Sequence, residues 1–182
     1  NLRFLGGPGE APGAAADRIL VPADNCLRVP DSMSMEEAAL VEPLSIGLYS
    51  VRLGEICPAA RVAVLGAGPI GLSGVLCVKA TAPATVYVTD LIDRRLDTAG
   101  RCGADWTGNP QRDDVVEAIL EKEPRGLDVV FECSGDPACI AQAQRMLTPG
   151  GTLVLVGIPG QSAISFNIHT MRRKELTFKN VR

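Results

Sequence analysis

Three glycines at fixed spacing are the residues of this sequence that most directly suggest a chemistry. Gly66, Gly68 and Gly71 form a GxGxxG motif directly after the apolar run Val62–Leu65. In that setting the first glycine permits a tight turn and the second lets the backbone approach a pyrophosphate. The third lets the following helix lie close to the strand. The motif predicts a site for a dinucleotide, with a glycine turn that serves packing alone as the alternative.

The residues inside the motif agree with a phosphate site. Pro69 and Ile70 stand where the helix should begin. Proline suits the first helical turn, where no hydrogen-bonding N–H group is lost. The N-terminus of a helix also presents a positive dipole end to phosphate groups. We therefore include Pro69 and Ile70 among the predicted cofactor-binding residues.

An acidic residue closes the next predicted strand. Asp90 follows Thr85–Thr89, where a carboxylate can accept hydrogen bonds from both hydroxyls of an adenosine ribose and repel a 2'-phosphate. Asp90 therefore predicts NAD in preference to NADP, with capping of the following helix as the alternative. Arg95 lies about one helical turn beyond Asp90, and it either reaches the adenosine end of the cofactor or stays on the surface.

Two later segments are candidates for the other end of the cofactor. Ser134 stands just after one predicted strand, and the run Val156, Gly157 and Ile158 stands at the end of another. Open parallel sheets bind ligands beyond the carboxyl ends of their strands. We expect these residues to line the cofactor, with backbone groups that hydrogen-bond the nicotinamide carboxamide. Turn chemistry alone is the alternative.

The elements that position these residues follow from Arg61 onward, where short apolar runs alternate with longer amphipathic segments. That alternation is typical of a parallel sheet covered by helices on both faces. It predicts a doubly wound α/β fold with a six-stranded Rossmann sheet. The predicted strands are Val62–Leu65, Thr85–Thr89, Asp105–Trp106, Asp128–Glu132, Thr152–Val156 and Glu175–Lys179. The predicted helices are Ile70–Thr81, Asp93–Cys102, Asp113–Lys122, Pro137–Leu147 and Asn167–Arg173.

The first part of the chain has a different composition. Residues 1–16 are rich in glycine, proline and alanine, which predicts irregular structure. Arg18–Val21 and Cys26–Val29 are interpreted as short strands that need partners from another domain. We therefore assign residues 1–55 to a partial catalytic-domain segment with linking helices, and residues 56–182 to an NAD-binding domain.

Helix signals connect the two regions. Ser34 followed by Glu37 is a capping box, which predicts that a helix begins there. Pro43 is expected to interrupt or kink this helix. A second helix is predicted over Leu44–Leu53, ending at Gly54 in the left-handed conformation.

Composition argues against several classes of site. With 18 basic and 21 acidic residues, the net charge is -3, which disfavours a nucleic-acid partner. The one basic cluster, Arg172, Arg173 and Lys174, suits a helix C-terminus. No apolar run approaches the ~20 residues that span a bilayer, so no membrane partner is expected. Six scattered cysteines without a CxxC pair predict reduced thiols and a cytoplasmic protein, and His169 is the single histidine.

The sequence resembles the zinc-dependent medium-chain dehydrogenases, and within them the sorbitol (polyol) dehydrogenase branch. The resemblance covers nearly the whole chain. It depends on residues 41–47 (VEPLSIG), 66–71, 88–91 with Arg95, 132–135 (ECSG), 150–158 and 178–182 (FKNVR). The family implies NAD and zinc as cofactors of the full-length enzyme, hydride transfer from a polyol or alcohol, and a dimer or tetramer. It also implies cofactor contacts from Val181 and Arg182.

Glu42 is the residue to which the resemblance gives a catalytic role. The family places this glutamate beside the catalytic zinc, which implies a metal ligand, a near-metal group or a polyol contact. From the residues alone, Glu42 could equally be a buried carboxylate paired with a basic neighbour. The other zinc-binding residues of the family are expected before Asn1 and its closing elements after Arg182. We therefore expect this chain to be inactive alone.

Two other functions remain open on the residues. An S-adenosylmethionine-dependent methyltransferase also has a glycine turn, an acidic residue after its second strand and a Pro-Gly-Gly-Thr-Leu run like that at residues 149–153. A non-catalytic NAD-sensing module is the other alternative. Self-association is expected through Glu175–Lys179, because this last strand should lie at a sheet edge.

Overall fold

The computed structural model describes residues 13–182 of the chain. The chain divides into two units, of which the first ends at Ala38 and the second spans Ala39–Arg182. Most of the predicted irregular segment 1–16 lies outside the described residues. The two short strands predicted at Arg18–Val21 and Cys26–Val29 are wrong, since both segments are exposed and have no strand partner within the described part of the first unit.

The predicted capping box is confirmed. Ser34 Oγ accepts a hydrogen bond from Glu37 N at 3.1 Å, and Glu37 Oε2 accepts one from Ser34 N at 2.8 Å. Helix α1 (Met35–Ala39) begins directly after this pair. The reciprocal bonds supply acceptors for N–H groups that the first turn of a helix leaves without partners.

Helix α2 (Val41–Gly54) differs from its prediction at both ends. It begins before Pro43, which therefore lies in the first turn, where a missing N–H costs no intrahelical bond. The expected interruption between the two helices falls at Leu40 instead of Pro43. The left-handed residue is Glu55, with φ 50°, instead of Gly54. Gly54 is required for packing, since a Cβ there would lie 2.9 Å from Phe131 Cζ.

The predicted six-stranded parallel sheet is confirmed. Its strand order is β3-β2-β1-β4-β5-β6, and all five pairings are parallel. The strands are β1 (Arg61–Leu65), β2 (Thr85–Thr89), β3 (Trp106–Gly108), β4 (Leu127–Glu132), β5 (Leu147–Leu155) and β6 (Thr177–Asn180). The direction of winding reverses between β1 and β4, so a crevice is expected beyond their carboxyl ends.

Helices cover both faces of the sheet, as predicted. They are α3 (Pro69–Thr81), α4 (Asp93–Arg101), α5 (Val115–Lys122), α6 (Pro137–Met146) and α7 (Ile168–Lys174). Side chains of β1 alternate between two cores: Val62 and Val64 pack with α2 and α3, whereas Ala63 and Leu65 pack with α5 and α6. This alternation follows from the period of a strand and holds the strand tips in fixed positions.

Candidate functional site

The glycine motif forms a tight turn between β1 and α3. Gly66 has φ +101°, a conformation that favours glycine, and its N–H donates to Thr89 O at 2.8 Å. A Cβ on Gly71 would overlap the carbonyl oxygen of Gly66, so only glycine allows α3 to approach β1 this closely. A Cβ on Gly68 would meet nothing within 4 Å. The turn therefore leaves open space beside its second glycine, where a phosphate would bind.

Asp90 lies beside this turn and is 8% exposed. Its Oδ2 accepts a hydrogen bond from Ala67 N at 2.7 Å, and its Oδ1 accepts one from Ile92 N at 2.9 Å. Helix α4 has Ile92 at its N-cap position, so Asp90 does not occupy the position expected of a capping residue. The carboxylate instead joins the tip of β2 to the glycine turn.

Arg95 lies at the edge of the same site. Its Nη1 is 3.6 Å from Asp90 Oδ2, and its side chain is 48% exposed. The side chain lines a cleft beside Asp90 and is also partly exposed to solvent. Its environment therefore agrees in part with each prediction, a cofactor contact and a surface position.

A cleft of about 450 Å³ connects these residues with the loop after β4. Glycine backbone and polar side chains form one part of its wall, whereas Leu91, Ile92 and Pro110 provide an apolar part. A polar ribose site next to an apolar wall for a flat base is what an adenosine requires. The cleft is lined by Gly66, Gly68, Thr89, Asp90, Leu91, Ile92, Arg95, Pro110, Cys133, Ser134, Asp136, Ala138, Cys139 and Gln142.

A second cleft, of about 620 Å³, brings together most of the remaining predicted residues. Cys133 lines both clefts, so the second one continues past the tip of β4. Glu42 and Ile46 contribute from α2 and Ile70 from the start of α3. The second cleft is lined by Glu42, Ile46, Ile70, Cys133, Val156, Gly157, Ile158, Val181 and Arg182. The structure thus brings together Val156–Ile158, Val181 and Arg182, whereas Ser134, predicted for the same end of the cofactor, lines the first cleft.

Glu42 is exposed at this cleft, so it is not the buried carboxylate of the alternative interpretation. Within residues 13–182, no three His, Cys, Asp or Glu side chains lie close enough together to hold a metal ion. The described residues therefore do not fit zinc by themselves.

The cysteines at the clefts are not suited to nucleophilic chemistry. Burial raises the pKa of the Cys133 thiol, with a smaller contribution from Glu132, and burial also raises the pKa of the Cys139 thiol. Since the thiolate is the reactive form, these thiols are expected to remain protonated and inert. They form part of the apolar wall.

Sequence reasoning missed Glu132, the last residue of β4. Its side chain is 1% exposed and accepts hydrogen bonds from the backbone N–H groups of Ser134 and Gly135 at 2.7 and 2.8 Å. The available signal was a charged residue at the end of the apolar run Val129–Phe131. In a parallel strand buried on both faces, such a residue needs a specific partner.

Residues 69–182 match the family model described as zinc-binding dehydrogenase. Sorbitol dehydrogenase of Bacillus subtilis strain 168 is 36% identical over 177 residues, which cover 97% of this chain and 50% of that protein. D-Xylulose reductase of Saccharomyces cerevisiae is 36% identical over 184 residues, which cover 98% of this chain and 51% of the reductase. The chain thus spans about half the length of these curated relatives.

Solved structures show the same fold. A Sinorhizobium meliloti 1021 protein classed as a zinc-binding dehydrogenase and bound to NADP has a TM-score of 0.89 and 31% identity, covering 94% of this chain and 52% of that one. An Escherichia coli CFT073 alcohol dehydrogenase complexed with NADH has a TM-score of 0.87 and 27% identity, covering 94% and 51%. The family model and these likenesses confirm the predicted resemblance, and the chain belongs to the zinc-binding dehydrogenase family.

Proposed function

We propose that this chain is the NAD-binding part of a polyol or alcohol dehydrogenase, and that it holds the hydride acceptor without turning over substrate alone. The observation that carries the proposal is the open glycine turn beside Asp90, at the crevice between β1 and β4. Relatives named as sorbitol dehydrogenase and D-xylulose reductase support the class of substrate.

The adenosine end of NAD fits the first cleft. Phosphates would lie at the backbone of Gly68 and the N-terminus of α3, where the helix dipole favours negative charge. Each oxygen of Asp90 already accepts one backbone hydrogen bond, and a carboxylate oxygen has a second lone pair for a ribose hydroxyl. The same charge disfavours a 2'-phosphate, which supports NAD in preference to NADP.

The nicotinamide end fits the second cleft, which Val156, Gly157 and Ile158 line. The N–H groups of Val156 and Gly157 donate to Glu132 O, so we propose that their carbonyl groups and the backbone of Ile158 bind the carboxamide. A bound nicotinamide supplies the hydride acceptor. We propose that Val181 and Arg182 also contact the cofactor, since both line this cleft. Glu42 lies at the same cleft, and we propose that its carboxylate faces the substrate or a metal ion in the full-length enzyme.

The domain division remains a proposal. We assign residues 1–55 to the substrate-side segment with its linking helices and residues 56–182 to cofactor binding. In the structure, α2 packs on α3 and, through Gly54, on Phe131. Helix α2 therefore acts as a linking helix that is anchored on the cofactor-binding domain.

We also propose self-association through β6. Thr177–Asn180 is the last strand of the sheet and pairs only with β5 among the described strands. An edge strand leaves backbone N–H and C=O groups available for a second copy of the same edge. Sedimentation at tens of micromolar is expected to show a dimer or larger, and a monomer at that concentration would contradict this proposal.

Calorimetric titration with NADH and with S-adenosylmethionine tests the function directly. We expect the 182-residue chain to bind NADH and not the methyl donor, because the glycine turn and Asp90 are arranged for two phosphates and a ribose. Binding of S-adenosylmethionine with no response to NADH would overturn the proposal. We expect no polyol oxidation with added zinc, and zinc-dependent turnover by this chain would show that it carries a complete catalytic site.

A further inference from the structure

Glu132 is a buried carboxylate to which the cofactor site as described gives no role. It ends β4 between the two clefts, and its side chain is 1% exposed. A carboxylate this deeply buried is unfavourable unless several donors hydrogen-bond it. Its surroundings therefore show what it holds in place.

Glu132 holds the two loops that follow β4 and β5. Its Oε1 accepts hydrogen bonds from Ser134 N at 2.7 Å, Ser134 Oγ at 2.5 Å and Gly135 N at 2.8 Å. Its backbone carbonyl accepts two more, from Val156 N and Gly157 N, both at 2.8 Å. One residue thus connects the turn after β4 to the tip of β5.

The two loops also touch each other. A Cβ on Gly157 would lie 2.7 Å from Glu132 Oε2 and would overlap the backbone nitrogen of Gly135. A Cβ on Gly135, which has φ +74°, would lie 2.5 Å from Ile158 O. With contacts this close, a displacement of the turn at 134–135 must displace residues 156–158.

We propose that Glu132 is a positioning residue: it holds residues 156–158 in the position in which they can bind the nicotinamide end of the cofactor. Its carboxylate acts through the turn at 134–135 and makes no contact with the cofactor. In this scheme the position of Glu132 Oε1, which accepts the hydrogen bonds of the turn, determines nicotinamide binding. The negative charge of the carboxylate is secondary. This inference rests on the proposed binding of NAD.

Calorimetry with NADH and with ADP-ribose separates the nicotinamide end from the rest of the dinucleotide, because ADP-ribose lacks the nicotinamide. The wild-type chain is expected to bind NADH more tightly than ADP-ribose. Glu132→Asp keeps the charge but withdraws the oxygen from three donors, and we expect about a tenfold loss for NADH with ADP-ribose unchanged. Glu132→Gln has a side chain of the same length and keeps one acceptor oxygen. Its dissociation constant for NADH is expected to stay within about threefold of the wild-type value.

Asp128→Ala is the matched control, because it removes a carboxylate from the opposite end of the same strand, where Asp128 pairs with Arg61. It should lower the melting temperature and leave the ratio of the two dissociation constants unchanged. Should Glu132→Asp fail to fold, Gly135→Ala carries the test, since Gly135 lines neither cleft and its Cβ would press on Ile158 O from the turn at 134–135. It should likewise weaken NADH selectively.

Three results with the variants would overturn the inference. The first is an unchanged ratio in Glu132→Asp, or in Gly135→Ala where that variant replaces it. The second is an equal loss of both ligands, and the third is a larger loss in Glu132→Gln than in Glu132→Asp, which would make charge the determinant. A wild-type chain that binds NADH no better than ADP-ribose would also overturn it while leaving dinucleotide binding intact. A chain that binds neither ligand overturns the proposed function as well.

Discussion

At the scale of single residues, the candidate site depends on carboxylates that organise backbone before any ligand arrives. Asp90 accepts hydrogen bonds from Ala67 N and Ile92 N, and Arg95 Nη1 lies 3.6 Å from its Oδ2. Glu132 does the same for the loops on the other side of the crevice. Donors and acceptors fixed in this way lose little conformational freedom when a ligand binds.

Asp90→Ala is expected to weaken NAD binding by about tenfold, since a ribose acceptor and the bond to Ala67 N are both lost. The same change should narrow the difference in affinity between NAD and NADP, because the charge that repels a 2'-phosphate is removed. Titrations with both cofactors measure this. Equal affinities to wild type for both cofactors would show that Asp90 does not face the ribose.

At the scale of elements, the site depends on how closely α3 approaches β1. Gly71 lies against the carbonyl oxygen of Gly66, so the first turn of α3 and the end of β1 are in backbone contact. Pro69 begins the helix with Gly68 as its N-cap. A helix N-terminus placed this close to the strand tip directs its N–H groups at the crevice.

Gly71→Ala is expected to lower the free energy of unfolding by about 2 kcal/mol and to weaken NADH binding, because the added methyl group forces α3 away from β1. Gly74→Ala in the same helix is the control. Its Cβ would meet nothing within 4 Å, so it should stabilise the helix by about 0.5–1 kcal/mol and keep binding. Urea unfolding and calorimetry measure both, and equal effects of the two substitutions would refute the close-approach argument.

At the scale of the whole molecule, the two edges of the sheet formed by the strand ends have different roles. The carboxyl ends carry the clefts, whereas the amino ends carry an ion-pair network around Arg61. Arg61 donates to Asp128 from Nε at 3.1 Å and Nη2 at 3.0 Å, and Tyr87 Oη donates to Glu123 at 2.7 Å. These bonds connect β1, β2 and β4 away from the ligand site.

Within residues 13–182, every helix is too short or too polar to cross a bilayer.

The Arg61–Asp128 pair predicts a pH dependence of stability. Burial opposes ionisation of Asp128, but the hydrogen bonds from Arg61 outweigh it and hold the pKa of Asp128 below its ordinary value of 3.8. The pair therefore stabilises the fold above pH 3.8, and this contribution is lost as the pH falls through the lower folded value. Asp128→Asn should cost about 1 kcal/mol at pH 7.

Thermal unfolding between pH 7 and pH 2.5 measures this effect. The difference between wild type and Asp128→Asn should shrink on the acid side, since the wild-type carboxylate becomes protonated there. A difference that stays constant down to pH 2.5 would mean that the charge of Asp128 does not stabilise the fold.

The sequence by itself determined the sheet and its helices, and it indicated most of the candidate residues that line the two clefts, because these depend on local pattern. Apolar runs, the glycine spacing and an acidic residue at a strand tip are all visible along the chain. The same locality explains the confirmed capping box at Ser34 and Glu37. Predictions were wrong where contacts between distant segments determine the local structure. Gly54 was predicted to adopt the left-handed conformation, but it packs on Phe131 and Glu55 is the left-handed residue.

Only the tertiary structure showed that Glu132 joins two loops, that Asp90 bonds to the glycine turn, and that Glu42 lies at the cleft of Val156–Ile158. Each of these contacts links segments whose distance depends on strand order and on the reversal of winding between β1 and β4. The pattern along a chain reports which faces are buried. It does not report which strand tips become neighbours, and that arrangement determines the chemistry of the crevice.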